Sequence, residues 1–190
     1  MSFNWDEVWE NQSKKHTKLR DINGWEKTDM DPHQTVLTIK DRLNISFDDT
    51  LLEVGCGCGF LGEYFKKEVK QYSGLEKSQN LCNIAEDVIG AKIVCSDAAN
   101  LPFKDNEFDY VVAYSIFQYF PSHEYAKKAM SEMERVAEKG IYIGDLPTES
   151  HDSNHLLYAK KDFVDMWNVD KGLYVDKRFD VYTKVSQDDK

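Results

Sequence analysis

Leu51-Leu52-Glu53-Val54, followed at once by Gly55-Cys56-Gly57-Cys58-Gly59, is an apolar run that breaks into three alternating glycines. A short apolar run bounded by glycines reads as a buried strand. Glycine at every second position removes side chains where backbone must turn sharply or approach a ligand. A tight strand–helix turn alone also calls for glycine, but three in five residues exceed what such a turn needs. Residues 60–69 then place Phe60, Leu61, Tyr64, Phe65 and Val69 on one helical face. A strand, a glycine loop and a helix in this order present bare peptide at the carboxyl end of a strand. Ligands of open α/β sheets bind there.

The pattern repeats downstream. Strands are expected at 72–75, 92–95, 108–114 and 140–143, with helices at 79–88 and 123–138 between them. The run through Val111, Val112 and Ala113 is continuous, as in a strand buried on both faces. Upstream, Trp5, Val8 and Trp9 recur at helical spacing, and 34–43 reads as an amphipathic helix on Val36, Leu37, Ile39 and Leu43. Residues 161–167 read as a further helix, and 172–175 with 179–185 as a closing antiparallel pair. Helix–strand alternation at this pitch predicts an α/β fold with a parallel sheet and right-handed crossovers. With no repeat, linker or low-complexity tract, 1–190 is expected to be a single domain. It divides into an N-terminal helical or lid segment (1–34), a core (35–145), and a C-terminal helix and strand pair (146–190).

The chain has 190 residues, 41% hydrophobic and 13% aromatic, which is the composition of one folded domain with a sizeable core. Its 24 Lys+Arg against 34 Asp+Glu give a net charge of −10, a surface that repels phosphate backbones and anionic lipid. Nucleic acid and membrane are therefore not expected as partners. The longest largely apolar run, 110–117, is too short to span a bilayer, and the opening residues lack a basic and apolar leader. A cytoplasmic protein is expected. Cys56, Cys58, Cys82 and Cys95 lie in apolar segments without the pattern of a disulfide framework. The Cys56-x-Cys58 pair has no second knuckle to complete a zinc site, so small buried thiols and no metal are expected.

The ligand of the glycine loop is a separate question. Gly57, Gly59 and Gly62 also satisfy G-x-G-x-x-G, and Glu76 lies 19 residues beyond Gly57 (76 − 57), the spacing of a ribose-binding acid. Spacing alone does not separate NAD(P) from another adenosine-bearing cofactor. Charge does. Glu53, in the middle of the first strand, is costly to bury without a partner; it would repel a pyrophosphate but suit a ligand carrying an ammonium. Asp97, after the third strand, is placed to accept from an adenine amino group while Glu76 holds ribose hydroxyls.

These residues resemble a known family. Glu53-Val54-Gly55-Cys56-Gly57-Cys58-Gly59 is similar to the first motif of class I S-adenosylmethionine-dependent methyltransferases, and Glu76-Lys77-Ser78 to their acidic second-strand end. Ser96-Asp97-Ala98, then Leu101-Pro102-Phe103 and Phe108-Asp109, is similar to the continuation in the branch that acts on small molecules. Glu138-Lys139-Gly140 stands where the family has a Pro-Gly-Gly turn, and departs from it. The resemblance covers roughly residues 35–145. It implies a Rossmann-like, seven-stranded, mostly parallel sheet with an antiparallel last strand and helices on both faces. It further implies S-adenosylmethionine as cofactor, with Gly55, Gly57 and Gly59 letting backbone approach the methionine part and Glu53 near its amino group. Glu76 is implied to bind the ribose, Asp97 and Ala98 the adenine, with Lys77 and Ser115 also at the cofactor.

Methyl transfer from a sulfonium needs in-line placement and exclusion of water more than it needs acid–base groups. The segment 114–121 after the fourth strand, by the resemblance, flanks the acceptor. It lacks the Asn/Asp-Pro-Pro-Tyr motif of amide and base-nitrogen methylation, and it lacks the strand-end acid of metal-assisted transfer. Tyr119 and Gln118 are candidates to orient an acceptor, and Asp145, ending the fifth strand, to act as base or hold a cation. Trp5, Trp9 and Trp25 are candidates to cover the site, with Trp9 at the substrate; packing onto the sheet explains them equally. His151 and His155 lack a third ligand. The expected activity is methylation of a small molecule. The rivals are an NAD(P)-dependent oxidoreductase and a non-catalytic partner subunit that binds S-adenosylmethionine.

Overall fold

Strand β4 (Phe108–Tyr114) lies at the centre of a seven-stranded sheet ordered β3-β2-β1-β4-β5-β7-β6 in the computed structural model, which describes residues 3–150 and 152–183. Its neighbours are β1 (Thr50–Val54) and β5 (Ala137–Pro147), both parallel to it. On one side β1 continues to β2 (Gln71–Glu76) and the two-residue β3 (Val94–Cys95), again parallel. On the other side β7 (Arg178–Thr183) runs antiparallel to both β5 and β6 (Trp167–Lys171). The Rossmann-like sheet with one reversed last strand is as expected.

Alternation along the central strands separates two cores. Leu52, Val54, Val111, Ala113, Ile141 and Ile143 face helix α6 (His123–Val136), whose Ala126, Ala129, Met133 and Val136 complete that layer. Leu51, Tyr110, Val112, Tyr114 and Tyr142 point the other way, against Val36, Ile39 and Leu43 of α3 (Pro32–Leu43) and Phe65 of α4 (Gly62–Glu68). Period-two burial on both faces explains why these strands read as unbroken apolar runs. Helix α5 (Gln79–Ile89) covers the β2–β3 edge through Cys82, Ala85 and Ile89. The N-terminal helices are α1 (Trp5–Lys15) and the single turn α2 (Leu19–Ile22).

Four expectations need correction. No helix forms at 161–167: a 3-10 turn at Lys160–Asp162 is followed by β6 from Trp167. Phe163 and Trp167 are both buried at helical spacing, but one hydrogen bond, Trp167 N–H to the Phe163 carbonyl, satisfies that spacing. The closing pair consequently lies earlier, at 167–171 and 178–183 instead of 172–175 and 179–185, with Val185 outside the described residues. Helix α6 ends at Val136, and β5 starts at Ala137 with no intervening loop, so Glu138-Lys139-Gly140 lies inside the strand. Cys95 is exposed, whereas Cys56, Cys58 and Cys82 are buried free thiols.

Candidate active site

The carboxyl ends of β1, β2 and β4 open into one cavity of about 1020 Å³, its solvent mouth included, about the size of a small-molecule cofactor cleft. Its floor is the glycine loop. Gly55, Gly57 and Gly59 have φ of +72°, +55° and +84°, a region costly to other residues. A Cβ on Gly57 would lie 2.6 Å from the Asn23 side-chain oxygen, and one on Gly55 2.7 Å from Ile116. Backbone geometry and packing therefore demand these glycines before any ligand does, contrary to the expectation that a turn alone would not explain all three. Gly55 and Gly57 line the cavity; Gly59 is turned to Ala85 and Ile89 of α5.

Two carboxylates converge on the loop. Glu53 is 3% exposed on β1 and accepts a 2.6 Å hydrogen bond from the Tyr72 hydroxyl. Burial, with repulsion from Glu76 adding to it, raises its pKa to about 8. Among the described residues it has no cationic partner. Glu76, ending β2, accepts from the backbone N–H groups of Gly57 (3.0 Å), Lys77 (2.8 Å) and Ser78 (3.0 Å). Burial raises its pKa and those three donors oppose the rise. Both acids line the cavity, as do Lys77, Ala98 and Ser115. Lys77 pairs with Asp6 at 2.7 Å and lies 3.8 Å from Asp97.

Asp97 does not line the cavity. Its carboxylate accepts from the Ala99 N–H at 2.9 Å and the Tyr125 hydroxyl at 2.8 Å, capping the turn beyond β3. The neighbours Ser96 and Ala98 face the cavity in its stead. Gln118 is also turned away: 1% exposed, it donates through Nε2 to the Ser115 carbonyl (3.0 Å) and hydroxyl (2.9 Å). Asp145 is 6% exposed and sits behind Ser115, whose hydroxyl donates to it at 2.7 Å. Desolvation raises Asp145 to about 6 against the opposing charge of Arg178.

The opposite wall is aromatic. Tyr119 meets Trp5 at 4.7 Å and Trp9 at 5.0 Å between ring centroids, and His155 at 5.2 Å. Helix α1 has no buried residue, yet it lies over the cavity because Glu10 accepts from Ser78 and Asn80 and Asp6 pairs with Lys77. Trp5, Trp9, Trp25, Phe60, Tyr114 and Tyr125 all line it. Asn23, Phe60 and Tyr125 are not site candidates in the sequence: Asn23 carries no signal at all, and aromatic character, the signal for the other two, does not distinguish wall from core. His151 lies outside the described residues, so the His151–His155 pair has no geometry here.

An open α/β sheet of this strand order, with acids ending β1 and β2 around a glycine loop, is the architecture of a nucleoside-binding methyltransferase. Residues 52–143 match the family model of the methyltransferase domain. Demethylmenaquinone methyltransferase of Staphylococcus saprophyticus is 28% identical over 150 residues, 75% of this chain and 61% of that protein. An uncharacterised protein of Methanocaldococcus jannaschii is 32% identical over 101 residues, 52% of this chain and 45% of its own. The chain thus spans about half the length of the curated relatives it matches, from 45% to 61% for these two. The solved structure of a SAM-dependent methyltransferase from Aquifex aeolicus superposes with a TM-score of 0.66 at 20% identity, over 93% of this chain and 98% of that one.

The residues present suit the cofactor. A buried carboxylate without a counter-charge, Glu53, faces a cavity whose single lining cation among the described residues, Lys77, is already paired with acid. That set suits a cationic amino-acid nucleoside, whose ammonium supplies the counter-charge that Glu53 lacks.

Proposed function

We propose that the protein transfers a methyl group from S-adenosylmethionine to a small-molecule acceptor by in-line displacement. The observation that carries this reading is Glu53, held at the cavity with no cation of its own among the described residues. The cofactor supplies a methyl group already activated by a sulfonium. Glu53 holds the ammonium of the methionine part, and Glu76, fixed by three backbone donors, holds the ribose hydroxyls. Ser96 and Ala98 border the adenine, and Asp97 acts indirectly by setting the Tyr125 hydroxyl.

Tyr119 with Trp5 and Trp9 forms the acceptor wall and keeps water from the reacting atoms. Residues 1–34 serve as a lid, since α1 reaches the cavity through polar rim contacts and two indoles. A small acceptor is supported by this covered cavity and by the demethylmenaquinone methyltransferase of S. saprophyticus. The net charge of −10 argues against nucleic acid and anionic membrane as partners, and no helix among the described residues is long and apolar enough to cross a membrane. Free thiols at Cys56, Cys58, Cys82 and Cys95 suit a reducing compartment such as the cytoplasm.

Titration calorimetry with S-adenosylhomocysteine and with NADH tests the cofactor: the thioether binds and NADH does not. Incubation with methyl-labelled S-adenosylmethionine and a small-molecule extract tests turnover, and label is expected in the extract. NADH binding without the thioether defeats the cofactor reading. Tight thioether binding without any labelled product favours a non-catalytic partner subunit.

A further inference from the structure

Among the described residues, five non-glycine residues hold positive φ. Asn44 caps α3, while Asn106 and Lys177 sit in turns, where this conformation is common. Ser115 (φ 58°) and Asp145 (φ 64°) are different. They lie side by side just past the paired Tyr114 and Gly144. Ser115 comes directly after β4 and Asp145 is inside β5, not at its end as expected, where the β5–β7 register shifts before pairing resumes at Leu146. Strain of this kind persists only where surrounding bonds impose it. Those bonds are present: Ser115 N–H donates to the Gly144 carbonyl (3.1 Å) and Asp145 N–H to buried Asp180 (2.8 Å). Arg178 donates to the Asp145 carbonyl at 3.0 Å.

The two strained residues aim their side chains at each other. The Ser115 hydroxyl donates to the Asp145 carboxylate at 2.7 Å and accepts from Gln118 at 2.9 Å. A hydroxyl has one proton and two lone pairs, so these bonds leave one lone pair unused. Ser115 lines the cavity and Asp145 does not. The Ser115 carbonyl, which also accepts from Gln118, fixes which end of that amide faces the hydroxyl; the Gln118 amide oxygen is left buried with no partner among the described residues.

We propose that Ser115 is a proton relay at the acceptor site, with Asp145 as the terminal proton acceptor behind it, so that the substrate class is a small molecule whose nucleophilic atom still carries its proton. This rests on the methyltransferase reading and goes beyond it. In the step, the acceptor's X–H bond breaks and its electron pair forms the new bond to the methyl carbon. The carbon–sulfur bond breaks with its pair going to sulfur. The acceptor's proton passes to the Ser115 oxygen while the Ser115 proton passes to Asp145, so one proton enters the relay and one reaches the carboxylate. Asp145 lies next to Arg178 and Asp180 on β7, with Tyr114 on β4 and Tyr119 on the following turn also within its field. Burial holds both tyrosines neutral above their ordinary range. A carboxyl near pKa 6 in that setting is ionised and ready at neutral pH.

Two measurements test it. In protein labelled with carboxyl-13C aspartate and saturated with S-adenosylhomocysteine, Asp145 is the resonance lost in Asp145→Asn; its midpoint is expected near 6. Ser115→Gly, which keeps the positive φ, removes the hydroxyl that favours the charged form and raises that midpoint by about half a pH unit or more. An unmoved midpoint overturns the relay whatever the activity. In the labelled-methyl assay with the extract, Asp145→Asn and Ser115→Gly each lose about a hundredfold, the scale of general-base catalysis, and Asp145→Asn also loses the fall in rate below pH 6. Asn tolerates positive φ, and matched thermal unfolding shows that the variant is folded. Asp145→Asn with a rate within threefold and an unchanged acid limb overturns the relay alone. Wild-type protein that binds the thioether and transfers no label overturns the methyltransferase reading, and the relay with it.

Discussion

The two halves of the cavity are built in opposite ways. The cofactor half comes from 53–98, one stretch of chain in which Glu53, the glycine loop and Glu76 are joined by parallel pairing of β1 with β2. Glu76 is set by donors on Gly57, Lys77 and Ser78, within its own turn or one crossover away. The acceptor half draws on the whole chain. Trp5 and Trp9 come from α1, Ser115 and Tyr119 follow β4, Asp145 lies within β5, and Asp180 and Arg178 reach in from β7. The first half is built by local spacing; the second depends on long-range packing.

The largest effect that would break this contrast is expected at Glu76. Glu76→Ala removes a carboxylate that holds the loop and, in the proposed function, the ribose. Loss of charge-assisted hydrogen bonds lowers S-adenosylhomocysteine affinity about a hundredfold, read by calorimetry; unchanged affinity removes Glu76 from the site.

Glu53 is the next largest, through pH. Its pKa in the unliganded fold is raised to about 8, so at neutral pH it holds a proton that must leave before it pairs with an ammonium. Affinity then climbs roughly tenfold per pH unit up to about 8, and Glu53→Gln flattens that slope. Stability of the unliganded fold runs the other way. A raised folded pKa favours the fold below the ordinary carboxylate range, and that contribution is lost as pH rises through about 8. Thermal unfolding with and without ligand separates the two signs.

On the acceptor side, Trp9→Ala is expected to raise the acceptor KM about tenfold while donor affinity moves less than about twofold, because the lost indole contacts Tyr119 and not the acids. Equal loss of both would dissolve the division into halves. The smallest effect belongs to Asp6→Asn. Its pair with Lys77 is solvent-exposed on both sides, so KM changes about twofold at low salt and not at all at high salt.

The legibility of the site follows the same division. Glu53, Gly55, Gly57, Glu76, Lys77 and Ala98 line one cavity, because consecutive βα units bring strand ends together without help from distant chain. Asp97 follows the expected strand end, but the Ala99 N–H and the Tyr125 hydroxyl from α6 claim its carboxylate. Gln118, a candidate from sequence to orient the acceptor, braces Ser115. No local signal separates these roles, since a side chain's direction depends on partners many residues away. The helix expected at 161–167 failed similarly: Phe163 and Trp167 have helical spacing, and pairing of Trp167 with Thr183 makes the second of them a strand residue.

Sequence alone determined the parallel sheet, the glycine turn and the acids at its edge, because apolar periodicity and glycine placement act within a few residues and need no further context. The tertiary structure alone decided that Asp145 lies behind Ser115, that both are held at positive φ, and that two indoles from the N-terminal helix roof the cavity. Those features are balances among buried groups: Asp180 on the Asp145 N–H, Arg178 on its carbonyl, Gln118 on the Ser115 hydroxyl. Each exists only once strands distant in the chain have been brought within hydrogen-bonding distance and shielded from water.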